Sequence, residues 1–137
     1  MWVRLAIVWI GSALGGSLLG AVLTQVFYQG AWSASDIRLL LALATMSLVW
    51  TVPGSALLSF FFVGLRGRGL AVGWSIVAVV IFGTIAGGLI LCLIRVATDM
   101  FLWGAFFGLT TAACWVALST AVGGFRLVGD AAESGSE

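Results

Sequence analysis

Charge is scarce in this chain, and its placement is more informative than its amount. Charged residues make up 8% of the 137 residues, hydrophobic residues make up 62%, and there is neither lysine nor histidine. Soluble globular domains carry about 25% charged residues, so the composition excludes that class. Four intervals contain no ionisable side chain of Asp, Glu, Lys, Arg or His, namely 5–35, 39–65, 69–94 and 100–125. Each is longer than the roughly 20 apolar residues that cross a bilayer as a helix.

The missing histidine and the missing embedded carboxylates exclude several kinds of chemistry. Without histidine there is no imidazole ligand for haem or zinc and no histidine general base. No carboxylate lies inside a charge-free interval, which argues against a proton relay through Asp or Glu. No serine has a histidine or lysine base, and there is no phosphate-binding glycine loop. We therefore predict a protein that is not an enzyme and that takes no cofactor and no metal.

Apolar residues stand side by side in this chain, as in 39–41 and 60–62, instead of alternating with polar ones. This pattern argues against a membrane β-barrel. It predicts an all-α integral membrane domain over 1–126, built as a bundle of four antiparallel transmembrane helices. The spans are expected at about 5–28, 36–65, 70–94 and 99–122, and similarities between 5–9 and 70–74 suggest two pseudo-repeated hairpins. The small, acidic segment 127–137 is expected to be a disordered cytoplasmic tail.

The arginines predict how the bundle is oriented. Two of them, Arg38 and Arg95, fall on one side of the four-span layout, and four fall on the other. The positive-inside rule places the larger group in the cytoplasm. We therefore predict cytoplasmic N- and C-termini in a bacterial-type inner (plasma) membrane. The four residues of the larger group are Arg4, Arg66, Arg68 and Arg126. Because the cations are dispersed, they form no basic patch for nucleic acid.

Spans two and four begin with similar dipeptides, Ser35-Asp36 and Thr98-Asp99. A hydroxyl at the N-cap accepts a hydrogen bond from a free backbone N–H of the first turn. A carboxylate beside it is stabilised by the positive end of the helix dipole. Ser35 and Thr98 are therefore expected to be N-caps, and the two aspartates are expected to have a structural role.

Pairs of glycines at four-residue spacing recur in spans one, three and four. Such spacing lets helix backbones approach closely in lipid. The pattern indicates tight association of helices, within the chain or with a partner, although glycine is also common in membrane helices generally. Span one has small residues on several faces and is expected to be the most enclosed. The glycines are Gly11, Gly15, Gly16, Gly20, Gly83, Gly87, Gly104 and Gly108.

Span two carries a hydroxyl at every fourth position, at Ser47, Thr51, Ser55 and Ser59. We call these four residues the hydroxyl stripe, and at 1.5 Å rise per residue it is about 18 Å long. Pro53 lies within it and is expected to kink the helix. The stripe is interpreted either as a hydrogen-bonded seam against another helix or as the wall of a polar pathway. We favour the seam.

These observations predict a small multi-pass inner-membrane protein that acts as a structural, accessory or assembly subunit. It would contact other membrane proteins through its glycine-rich helix faces. The alternative is a small oligomeric channel or permease with a Ser/Thr-lined pathway. The expected partners are the lipid bilayer and either another membrane protein or a second copy of the chain. The identity of the partner or substrate and the oligomeric state do not follow from the sequence.

Overall fold

The computed structural model describes residues 2–29, 34–66 and 71–122. Within them the chain forms four α-helices, each long and apolar enough to span a membrane. The prediction of an all-helical protein with four candidate membrane spans is thereby confirmed. The helices are α1 (Trp2–Gln29), α2 (Ala34–Arg66), α3 (Val72–Cys92) and α4 (Thr98–Ala121).

The helix ends differ in detail from the predicted spans. The third span was expected to reach residue 94, but α3 ends at Cys92 and residues 93–94 form a turn. The N-cap of α4 is Ala97, which has extended backbone angles and makes no side-chain cap hydrogen bond. The prediction that Thr98 caps α4 is therefore wrong, because Thr98 is already the first helical residue. Asp99 lies in the first turn of α4, and Asp36 lies in the first turn of α2.

Only part of the arginine pattern falls within the described residues. Arg4 is exposed in the first turn of α1, and Arg66 is the last residue of α2. Arg68, Arg126 and the predicted tail at 127–137 lie outside the described residues. The predicted orientation in the membrane therefore stays a prediction.

Helices α1 and α4 pack closely because α1 presents glycines to α4. A Cβ atom built on Gly20 would lie 2.5 Å from the ring of Phe107, which shows how little room the glycine leaves. The contacts follow one another in rising order along α1 and in falling order along α4. The pairs are Gly11 with Leu118, Gly15 with Cys114, Gly16 with Thr111 and Gly20 with Phe107. Helix α1 also has the largest buried share of its span, 39%, against 22–28% for the others.

Helices α3 and α4 make the most extensive contact of the bundle, and their backbones touch. A Cβ built on Gly87 would collide with the carbonyl oxygen of Gly104 and would lie 2.7 Å from Cα of Gly108. A Cβ on Gly108 would in turn collide with the carbonyl oxygen of Gly83. We call these four residues the glycine crossing. Any larger residue at these positions would have to push the two helices apart.

The apolar core lies in the half of the bundle where α2 ends and α3 begins. There the rings of Phe61 and Phe82 stack with centroids 4.2 Å apart, joining α2 to α3. The ring of Phe62 meets Trp115 edge to face at 5.0 Å, joining α2 to α4. The buried members of this core are Val8, Leu58, Phe62, Val79, Ala112 and Trp115. Outside the core, large apolar side chains face outward on all four helices, as expected of a surface in contact with lipid.

Candidate functional site

The hydroxyl stripe of α2 faces the interior of the bundle. Its four residues are 4%, 3%, 0% and 7% exposed, in chain order from Ser47 to Ser59. A polar side chain buried in a membrane bundle costs free energy unless its hydroxyl finds an acceptor. The hydrogen bonds of each residue therefore indicate what the stripe does.

The three serines of the stripe donate to the backbone of their own helix. Ser47 Oγ donates to the carbonyl of Ala44 at 2.9 Å, and Ser55 Oγ donates to the carbonyl of Val52 at 3.0 Å. Ser59 Oγ donates to the carbonyl of Ser55 at 3.0 Å. Bonds of this kind satisfy a hydroxyl locally and leave it no hydrogen for a partner across the helix interface. In this respect the serines form a closed seam.

A few hydrogen bonds join different helices, and each ties α1, α2 or α4 to another of the three. They involve two indole N–H groups and one threonine hydroxyl as donors. The bonds are Trp115 Nε1 to Ser59 Oγ at 3.1 Å, Trp9 Nε1 to the carbonyl of Val52 at 3.0 Å, and Thr110 Oγ1 to the carbonyl of Gly16 at 3.1 Å. The seam is therefore bonded directionally at its Ser59 end and at its centre.

The bond from Trp9 lies beside Pro53. Helix α2 continues through this proline to Arg66. Proline lacks the N–H that would bond the carbonyl of Val49, so the backbone of α2 loses one hydrogen bond there. Polar groups of neighbouring helices commonly stabilise membrane helices at such positions. The indole N–H of Trp9 on α1 donates to the carbonyl of Val52, the residue before the proline, and not to the carbonyl of Val49.

Thr51 differs from the three serines. It is 3% exposed, and its Oγ1 atom is buried without a hydrogen-bond partner within the described part of the chain. The four hydroxyls are equally spaced in the sequence, so the spacing did not distinguish this position from the others. Thr51 also lines a space between α2, α3 and α4.

That space is a narrow cavity of about 20 Å³ between α2, α3 and α4. A cavity of this size has room for one water molecule. Thr51 lines it from α2, Thr111 lines it from α4, and all four residues of the glycine crossing also belong to its wall. Thr111 Oγ1 donates to the carbonyl of Phe107 at 2.7 Å. The sequence analysis named both the stripe and the glycines, and the structure brings them together at this cavity.

A second and larger cavity, of about 380 Å³, lies where α1 ends and α4 begins. We call it the outer groove, because it is open to the surface of the bundle beside the exposed Phe27. The sequence analysis treated Asp99 as a helix-start residue only and did not identify this site. Its lining residues are Thr24, Phe27, Asp99, Leu102, Trp103 and Phe106.

No metal site and no recognised relative guides the interpretation of these cavities. Within residues 2–29, 34–66 and 71–122 there is no group of three or more Cys, Asp or Glu side chains that could hold a metal ion. No family model, no curated protein and no solved structure matches the chain. The class defined by the fold is an all-helical protein with four helices that can span a membrane.

Proposed function

We propose that this chain is a small accessory or assembly subunit of an inner membrane, composed of four antiparallel spans with both termini in the cytoplasm. The opposite order of the glycine contacts along α1 and α4 supports the antiparallel arrangement of those two helices. The observation that carries the proposal is the burial of the hydroxyl stripe, at 0–7% exposure. A stripe closed against its own bundle favours a packing role over a pathway.

The glycines named in the sequence analysis pack within the chain, which changes where a partner would bind. Seven of the eight would place a Cβ within 3.0 Å of another helix of this chain, and Gly15 would place one at 3.4 Å. These glycines therefore offer no free face to another protein. We propose instead that a partner binds over the line where α2 and α3 meet. Of the helix pairs that are consecutive in the chain, these two make the least contact.

Gly54 is the centre of this proposed surface. A Cβ on Gly54 would meet no atom within 4 Å, so an approaching helix could reach the backbone of α2 there. Gly54 lines the cavity between α2, α3 and α4 described above, together with Leu91 of α3 and the partly exposed Trp50. Aromatic side chains are enriched at protein interfaces, so Trp50 is a suitable contact residue for this surface.

Chemical cross-linking in native membranes, followed by mild-detergent purification and mass spectrometry, tests this proposal. The variant Gly54→Leu should reduce recovery of a defined partner by about tenfold, since a side chain there blocks backbone approach. The matched control is Gly64→Leu, because Gly64 lies on the same helix and also has no atom within 4 Å. The control should recover the partner normally. A homo-oligomer without a partner and with a hydrated groove would contradict the accessory role.

The unpartnered hydroxyl of Thr51 favours the second candidate, a small oligomeric channel or permease. A buried hydroxyl beside a water-sized cavity is a group that a permeating polar solute could contact. In that case Thr51→Val, which removes the hydroxyl at nearly constant volume, should abolish flux in liposomes while leaving assembly intact. Absence of any flux in the unmodified protein would remove this candidate.

A further inference from the structure

The residues that line the outer groove belong neither to the hydroxyl stripe nor to the glycine crossing. Its residues on α4, namely Asp99, Leu102, Trp103 and Phe106, stand at positions i, i+3, i+4 and i+7 and so share one face of the helix. Thr24 and Phe27 face them from the last turns of α1. With about 380 Å³, the groove lies in the size range of small-molecule sites.

The aromatic wall of the groove is held in place by neighbouring rings. Trp103 stacks on Phe107 with centroids 6.4 Å apart, and Phe106 meets the same ring edge to face at 5.8 Å. Phe107 is buried and packs against the backbone of Gly20 on α1. The rings therefore keep their positions without a ligand, which lowers the entropy lost on binding.

The polar groups of the groove include acceptors suited to a cation. Thr24 Oγ1 donates its hydrogen to the carbonyl of Gly20 at 2.8 Å, so towards the groove this oxygen can only accept. The exposed carboxylate of Asp99 makes no hydrogen bond or ion pair with the described residues. A carboxylate beside aromatic rings is the combination that recognises organic ammonium ions, through charge attraction and cation–π contact. A single carboxylate does not meet the ligand number of a calcium or magnesium site.

We propose that the outer groove binds an organic ammonium ion that carries an apolar chain. The ammonium group lies between Asp99 and the Trp103 ring, and the chain lies along Leu102 and Phe106. Two sources share this chemistry, namely the headgroup of an ammonium-bearing phospholipid and a free cationic amphiphile. The inference is independent of the accessory role, because the groove lies between α1 and α4, whereas the proposed partner surface lies where α2 and α3 meet.

Equilibrium binding of radiolabelled dodecyltrimethylammonium to the full chain in maltoside micelles tests the proposal. Saturable binding is expected, and Asp99→Asn or Trp103→Leu should weaken it by about tenfold or more. The control is Asp36→Asn, because Asp36 occupies the first turn of α2 as Asp99 occupies that of α4. This control should bind normally. Asp99→Glu keeps the carboxylate and should bind the probe, which separates the loss of charge in Asp99→Asn from a disturbed helix start.

Two further measurements identify the source and the role of the charge. Competition by phosphatidylethanolamine supports a lipid headgroup as the occupant, whereas binding without such competition supports a free amphiphile. Dodecyldimethylamine N-oxide has a matching chain but no net charge at neutral pH, and it should bind at least about tenfold more weakly. Equal binding of the charged and uncharged probes, or equal binding by the unmodified protein and Asp99→Asn, would overturn the proposal.

Discussion

The glycine crossing predicts a loss of stability in Gly87→Ala, and a control variant accounts for the change in helix propensity. In Gly87→Ala, the added Cβ would collide with the carbonyl oxygen of Gly104 and approach Cα of Gly108 to 2.7 Å and its backbone nitrogen to 3.0 Å. These neighbours are all backbone atoms, so no side-chain rotation relieves the contact. Helices α3 and α4 must move apart by roughly 1 Å to restore ordinary van der Waals distances.

A gap of this size weakens many contacts along the interface at once. A radial gap of about 0.5–1 Å forfeits a quarter to a half of each contact's dispersion energy, and overpacked sites lose about 1–3 kcal/mol in total. Alanine also favours the helix over glycine by up to about 1 kcal/mol, which offsets part of the loss. Gly64→Ala adds the same methyl group to a helix without the collision, because no atom lies within 4 Å of its Cβ position.

The difference between the two variants isolates the packing cost. We expect Gly87→Ala to have a free energy of unfolding about 1–3 kcal/mol lower than that of Gly64→Ala. Titration with dodecyl sulfate in mixed micelles, followed by tryptophan fluorescence, measures this difference. If Gly87→Ala proved as stable as Gly64→Ala, the close approach of α3 and α4 would be refuted.

Three further predictions follow from the stripe, the core and the arginines. Thr51→Val should raise the free energy of unfolding by about 1 kcal/mol, because it removes a buried hydroxyl that has no hydrogen-bond partner. The control Thr45→Val, at an exposed position, should change it by less than about 0.5 kcal/mol. A large loss of stability in Thr51→Val would show that the Thr51 hydroxyl is bonded. Trp115→Phe should cost about 2 kcal/mol through the lost bond to Ser59 and the space it leaves, and Trp74→Phe, at a position 71% exposed, should have little effect on the same titration. A reporter that is active only in the cytoplasm should be active when it is fused to either terminus. Activity of a reporter that works only in the periplasm would contradict the predicted orientation.

The helices could be predicted from the sequence because its charge-free intervals have the length and composition of membrane spans, for which a helix is the usual structure. A charge-free interval of more than 20 residues must satisfy its backbone internally, and a helix does so without any partner. The α4 cap was less predictable, since Ala97 and Thr98 differ by a single position and the chain direction there depends on the preceding turn. The glycine spacing likewise predicted close packing but not that Gly16 would face α4 and Gly87 would face Gly104.

The two cavities could not be predicted because each depends on which helices are neighbours. Thr51 repeats the local pattern of Ser47 and Ser55, but it lines a cavity whose wall includes the glycines of α3 and α4. The spacing of Asp99 and Trp103 marks one face of α4, but Phe27, which completes the outer groove, lies on a helix far away in the sequence. Such a site becomes visible only once α1 and α4 are known to pack together.

Helix α3 is held in the bundle by a different kind of contact from the other three helices. The described hydroxyls of α3, on Ser75 and Thr84, bond within their own helix or its start, and no side-chain hydrogen bond among the described residues joins α3 to another helix. Its contacts include the glycine crossing, the Phe61–Phe82 stack and the buried Val79 of the apolar core. A shift of α3 along α4 would bring larger residues opposite the glycines of the crossing, so the shape of the two helices fixes the register of α3. The other three helices are linked in addition by the hydrogen bonds of Trp9, Trp115 and Thr110.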